Sequence, residues 1–225
     1  GPDGGPCTIC GVDTFKGVSG DTSCVNCDGN SSSPAGSDGG DDCLCKTGYS
    51  GTLSGTTALV SSCTFCPANT FKNETGTAEC TACSTGVDPN SGTNSATGSQ
   101  AATACLCNPG YFGPDGVSCA ECAADSYKSD SGSAPCSACS TVDENSGTNG
   151  AIGRQASTSC LCNAGYSGPD GGLCTICAAD SYKGDTGDTS CTACSTVDAN
   201  SGTNSATGRQ ASTSCLCNAG YSGPD

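Results

Sequence analysis

The sequence predicts a small disulfide-rich fold, mostly β and irregular, repeated in tandem. Three observations predict it. There are 24 cysteines in 225 residues, only 22 residues are Leu, Ile, Val or Phe, and the cysteines return in the same order four times.

The scarcity of core residues comes first, because with a net charge of -15 it would by itself place the chain among sequences that cannot offset chain entropy by burial. The cysteines reverse that expectation. Their density exceeds the level that marks a disulfide scaffold, and a bridge closing a loop of ~15 residues removes roughly 3 kcal/mol of unfolded-state freedom. Such bridges persist in an oxidising setting, so a secreted, extracellular or cell-surface chain is expected rather than a cytosolic one.

The repeat is C-x2-C, thirteen residues, C-x2-C, a variable loop, then C-x-C. It opens at Cys7, Cys63, Cys119 and Cys174, giving periods of 56, 56 and 55 residues. Each repeat also carries an aromatic-lysine pair, at Phe15-Lys16, Phe71-Lys72, Tyr127-Lys128 and Tyr182-Lys183. A second aromatic follows each C-x-C, at Tyr49, Tyr111, Tyr166 and Tyr221. These rings are expected to pack on disulfides or on the adjoining repeat. Abundant Gly, Asn, Asp and Ser favour turns and short hairpins over long helices.

Charge and missing residue types exclude several functions. With seven Lys and Arg against 22 Asp and Glu, nucleic acid and anionic membrane surfaces are not expected partners. No apolar run approaches the ~18 residues of a membrane span, and the first six residues carry no charged-then-apolar leader, so direct membrane insertion is not expected. Histidine is absent and serines such as Ser159 have no neighbouring base, so the chain is not expected to be an enzyme.

Metal sites are weighed on the same footing. Paired C-x2-C motifs are a zinc-ribbon pattern inside cells, but the added C-x-C, the absence of histidine and the acidic surface favour cystine. The runs beginning at Asp88, Asp143 and Asp198 place oxygen side chains near one another, as a calcium loop does. Their glycine falls one place early and no twelfth-position Glu follows, so Asx turns are the expectation. No cofactor is expected beyond covalent glycans.

The segment Cys160-Leu-Cys162-Asn-Ala-Gly165-Tyr166-Ser-Gly168-Pro-Asp-Gly-Gly-Leu-Cys174 resembles the close of an EGF-like module, C-x-C followed by a Gly-aromatic turn and a final cysteine. The wider pattern is similar to the ephrin-receptor-like cysteine-rich repeats of algal and protist surface proteins. Six cysteines allow fifteen connectivities. The resemblance implies first to third, second to fourth and fifth to sixth: Cys10 with Cys27, Cys24 with Cys43, Cys45 with Cys63, Cys66 with Cys83, Cys80 with Cys105 and Cys107 with Cys119. Further along it implies Cys122 with Cys139, Cys136 with Cys160, Cys162 with Cys174, Cys177 with Cys194 and Cys191 with Cys215.

The resulting expectation is tandem EGF-like repeats stacked into a rod or superhelix, because only two residues separate one closing cysteine from the next opening one. Residues 1–9 would close a preceding repeat. Modules 1 to 4 would span 10–65, 66–121, 122–176 and 177–225, the last without its closing cysteine. The first module departs from the others in its loop lengths, with a shorter loop between Cys27 and Cys43 and a longer one between Cys45 and Cys63.

Cys7 and Cys217 are left without partners in this register, and their mates are expected in flanking sequence or on a neighbouring copy. Both ends read Gly-Pro-Asp, as a window on a longer array would. The resemblance implies a repeat unit of an extracellular glycosylated fibre, such as a flagellar hair (mastigoneme) or other surface fibril, with copies of itself as partners. The alternative is the stalk or ligand-binding ectodomain of a receptor or adhesin.

Asn30-Ser31-Ser32 and Asn73-Glu74-Thr75 are N-glycosylation sequons. Ser and Thr exceed a quarter of the chain and offer O-linked positions. By analogy with algal walls, Pro2, Pro114, Pro169 and Pro224 are candidates for hydroxylation and glycosylation.

Overall fold

The computed structural model describes residues 4–51 and 63–223. Pro2, Pro224 and most of the long Cys45–Cys63 loop lie outside these residues. The chain divides into two compact units, residues 1–108 with 114–119 and residues 109–113 with 120–225.

Both units are built from two-residue antiparallel ladders, short as the turn-rich composition requires. In the first unit, Thr14–Phe15 pairs with Val25–Asn26, Ser31–Ser32 with Leu44–Cys45 and Tyr49–Ser50 with Thr64–Phe65. Thr70–Phe71 then pairs with Thr81–Ala82, and Ser91–Gly92 with Leu106–Cys107. The second unit repeats these three hairpin types, beginning with Tyr111–Phe112 against Ala120–Glu121 and ending with Ser201–Gly202 against Leu216–Cys217. The aromatic of each aromatic-lysine pair also makes a parallel bridge, Phe15 to Ser37, Phe71 to Ser99, Tyr127 to Arg154 and Tyr182 to Arg209.

Among the described residues, helical structure is limited to single turns. One α turn covers Cys83–Gly86, and 3-10 turns such as Ala102–Ala104 and Ser157–Ser159 precede each C-x-C. Helix nucleation is costly and these segments offer nothing to propagate it, so each turn stops after a hydrogen-bonded ring or two.

Eleven disulfides replace the missing core. The pairs are Cys10–Cys24, Cys27–Cys43 and Cys45–Cys63, then Cys66–Cys80, Cys83–Cys105 and Cys107–Cys119. The second unit follows the same order with Cys122–Cys136, Cys139–Cys160, Cys162–Cys174, Cys177–Cys191 and Cys194–Cys215. The connectivity is first to second, third to fourth and fifth to sixth. Cys45–Cys63, Cys107–Cys119 and Cys162–Cys174 are the pairs that the EGF-like resemblance implies.

The other implied pairs are corrected: Cys10 does not join Cys27, nor Cys24 Cys43, Cys66 Cys83, Cys80 Cys105, Cys122 Cys139, Cys136 Cys160, Cys177 Cys194 or Cys191 Cys215. The reason is local. Thr81–Ala82 is extended, so Cys80 and Cys83, three positions apart, leave opposite faces of the strand. Cys83 starts the α turn and packs with Cys105 under Phe71, which is 6% exposed; Val87 and Ala102 close the cluster. That leaves Cys80 on the side of Cys66, with a Cα separation of 5.7 Å.

The buried interior is mainly sulfur. Cys43, Cys45, Cys66, Cys83, Cys107, Cys122, Cys139, Cys162 and Cys194 are wholly inaccessible. Around them the buried polar groups are matched. Thr203 Oγ1 accepts from the Asp180 amide at 2.8 Å while its own amide donates to Asp180 Oδ1 at 2.8 Å. The same exchange joins Thr148 to Asp125 and Thr93 to Asn69. Polar pairing of this kind avoids the desolvation cost of an orphaned buried group.

Candidate functional site

The site that recurs is the joint between consecutive modules, and glycine begins it. Gly165 has φ of +85°, and a Cβ there would stand 2.6 Å from the carbonyl oxygen of Gly208 in the following module. Gly48 meets the Gly98 carbonyl in the same way at 2.5 Å, and Gly110 meets that of Gly153. Only glycine meets both demands, positive φ and close backbone approach. Three backbone bonds then close the joint. Gly165 N–H donates to Lys183 O, Cys177 N–H to Gly165 O and Gly208 N–H to Cys177 O, each at 2.8–2.9 Å. The set recurs at Gly48, Lys72, Cys66 and Gly98, and at Gly110, Lys128, Cys122 and Gly153.

The lysines of the second, third and fourth aromatic-lysine pairs fill the joint. Lys72, Lys128 and Lys183 are only 4%, 5% and 3% exposed. Lys72 Nζ donates to the carbonyls of Gly76 at 2.6 Å, Tyr49 at 3.0 Å and Cys45 at 3.3 Å, so it joins module 2 to module 1. Lys183 Nζ donates to Tyr166 O at 2.8 Å and to Gly187 O, and Lys128 Nζ donates to Asp130 O at 2.6 Å. Burial lowers the pKa of Lys72 and of Lys183, and at Lys183 the carboxylates of Asp170, Asp188 and Asp185 oppose that shift. Carbonyl dipoles stand in for water around the ammonium.

The second aromatics lie beside the joint. Tyr49 and Phe65 have ring centroids 4.7 Å apart at 31°, and Tyr111 OH donates to Glu121 Oε1 at 3.2 Å. Phe65 lies against Gly98, where a Cβ would collide with the ring at 2.6 Å, and Ile176 lies against Gly208, where a Cβ would stand 3.0 Å from its side chain.

The oxygen-rich runs form Asx turns. Asp88, Asp143 and Asp198 Oδ1 accept from the amides of Asn90, Asn145 and Asn200 at 2.8 Å. The second oxygens of Asp88 and Asp143 accept from the closing-cysteine amides of Cys119 and Cys174, at 3.1 and 3.2 Å. These N–H donors hold the Asp143 carboxyl below its ordinary pKa.

Of the remaining expected sites, Cys7 and Cys217 are unpaired and exposed in the chain. Asn73 is exposed, whereas Asn30 is half-buried with Nδ2 donating to Cys63 O at 3.3 Å. Pro114 and Pro169 are exposed on turns.

Sequence reasoning noted the recurring lysine without its role. A signal was present: four of the seven basic residues occupy this one repeat position, which a surface lysine does not require.

Residues 51–105 match the sequence profile of a family described as tyrosine-protein kinase ephrin type A/B receptor-like. No curated protein matches the chain. Bridges, hairpins and this match define a cysteine-rich repeat protein of extracellular type. Among the described residues, no helix is long and apolar enough to cross a membrane.

Proposed function

We propose that the chain is a repeat unit of an extracellular structural glycoprotein, a fibre or surface fibril of the flagellar-hair kind found on algae and protists, and that its role is not catalytic. The observation that carries this reading is the repeated joint. The glycine, buried lysine and backbone contacts that set module 2 on module 1 in the first unit also set module 4 on module 3 in the second. Repetition of one docking surface suits an array in which each unit contacts its neighbours.

Ile9 lies over Gly36 as Ile176 lies over Gly208, and Gly36 N–H donates to Cys10 O at 2.9 Å as Gly208 does to Cys177. Cys7-Thr8-Ile9 thus holds the form of half a joint. In our reading its complement is a Cys-x3-Tyr segment of the kind at Cys217–Tyr221, from a neighbouring copy or from flanking sequence, with a Cys7 to Cys217 bridge. Electron microscopy of purified chain under oxidising conditions tests this: uniform filaments dispersed by mild reductant are expected, and monodisperse particles at every concentration would exclude it.

The match over residues 51–105 favours one alternative, the stalk of a receptor or adhesin ectodomain. Saturable binding of a soluble ligand by monomers distinguishes it from the fibre.

A further inference from the structure

We infer that Asn73 is the N-glycan acceptor of this chain and that Asn30, despite its sequon, is not. This rests on the extracellular reading above. It is carried by the different structural roles of the two asparagines.

Asn30 belongs to the fold. Its amide N–H bonds Asp28 Oδ1 at 3.2 Å, its carbonyl accepts from Lys46 N–H at 3.0 Å and its Nδ2 donates to Cys63 O at 3.3 Å. The following Ser31 is 1% exposed, and Ser31–Ser32 is a ladder strand against Leu44–Cys45. The other modules explain why an asparagine is there. Asn90 accepts from Asn108 N–H, Asn145 from Asn163 and Asn200 from Asn218, in the register in which Asn30 accepts from Lys46. Those three asparagines precede Ser-Gly, which is no sequon. Asn30 is therefore the turn residue that every module needs, and its sequon arises because Ser32 replaces the glycine found at 92, 147 and 202.

Asn73 has the opposite character. The corresponding residues are Gly17, Ser129 and Gly184, so the repeat requires no asparagine there. Asn73, Glu74 and Thr75 are all exposed on an irregular bend. The bend is anchored on either side, by Lys72 in the joint and by Gly76 N–H on Cys45 O at 2.9 Å, so the amide is displayed toward solvent. A glycan there would stand over the contact between modules 1 and 2, both within the first unit.

The donor class is a lipid-diphosphate-linked oligosaccharide. Asn73 Nδ2 forms a bond to the anomeric carbon while that carbon's bond to the phosphate oxygen breaks. The electron pair leaves with the lipid diphosphate, and the Nδ2 proton goes to a base of the transferase.

The test is to express the full chain behind a cleavable secretory leader in eukaryotic cells and to release N-glycans enzymatically in heavy-oxygen water. Heavy-oxygen aspartate at 73 and unlabelled asparagine at 30 are expected. Asn73→Gln should lose the whole N-glycan mass increment, and Asn30→Gln should lose none of it. Label at 30, or a bare Asn73, overturns the assignment. Filament imaging of the same sample separates the two readings, since filaments bearing a bare Asn73 sink only the acceptor site and a modified monomer sinks only the fibre.

Discussion

Lys183 Nζ donates to the carbonyl oxygen of Tyr166 at 2.8 Å, reaching 17 residues back into the preceding module. A buried ammonium thus joins two consecutive modules. Lys183→Met keeps the length of the side chain but leaves the Tyr166 and Gly187 carbonyls without their donor, at a cost of about 1–3 kcal/mol. The expected result is faster hydrogen exchange at the Gly165, Cys177 and Gly208 amides. Lys16→Met is the control, because Lys16 is half-buried and its Nζ donates to Gly20 O within its own module, so little change is expected.

Gly165→Ala strikes the same joint through the backbone. Positive φ costs a residue with a Cβ about 1–2 kcal/mol, and the collision with Gly208 O adds an overpacking cost of about 1–3 kcal/mol. Limited proteolysis should show new cleavage near residues 165–177, while the bridges of each module stay closed.

Acid should loosen the closing segment of module 3. Amide donors hold the Asp143 carboxyl below its ordinary pKa, so the unfolded chain takes up the proton more readily than the folded one. The contribution is complete above the ordinary carboxylate value of about 3.9 and is lost as pH falls through that value and through the lower folded one. Hydrogen exchange at Cys174, or its ¹⁵N resonance, should report this transition. Asp143→Asn should abolish the pH dependence at that amide.

Bridge mapping checks the connectivity. Unreduced peptides should link Cys139 to Cys160 and Cys122 to Cys136; a Cys122 to Cys139 peptide would refute the arrangement. Replacing Cys139 and Cys160 together by serine should cost about 3 kcal/mol, as expected for a loop of that length.

Much of the fold was legible because cysteine spacing is a covalent pattern. Four repeats, short hairpins and the partners of Cys45, Cys107 and Cys162 all follow from text or resemblance. The partners of Cys66, Cys80 and Cys83 did not, since a C-x2-C pair reports only that its members face opposite ways, and both connectivities satisfy that. Which face Cys83 takes depends on a helical turn lying under Phe71, a contact between segments that spacing does not encode. The joint was hidden for a similar reason. Lysine normally points to water, and its burial here is visible only once the carbonyls of Cys45, Tyr49 and Gly76 are seen to converge on it. The Asx turns at Asp88 and Asp143 were expected, but their second bond, to a cysteine 31 residues away, was not.

Because every bridge joins cysteines that are neighbours in order, a pulled chain carries load from sulfur to sulfur. Backbone lies in the force path only in the short links, such as Cys63 to Cys66, Cys80 to Cys83 and Cys105 to Cys107. The loops behind the bridges add no slack, so little contour length is released even when every hairpin yields. Such a strand reaches its elastic limit early, and under hydrodynamic drag it would behave as a cord rather than a spring.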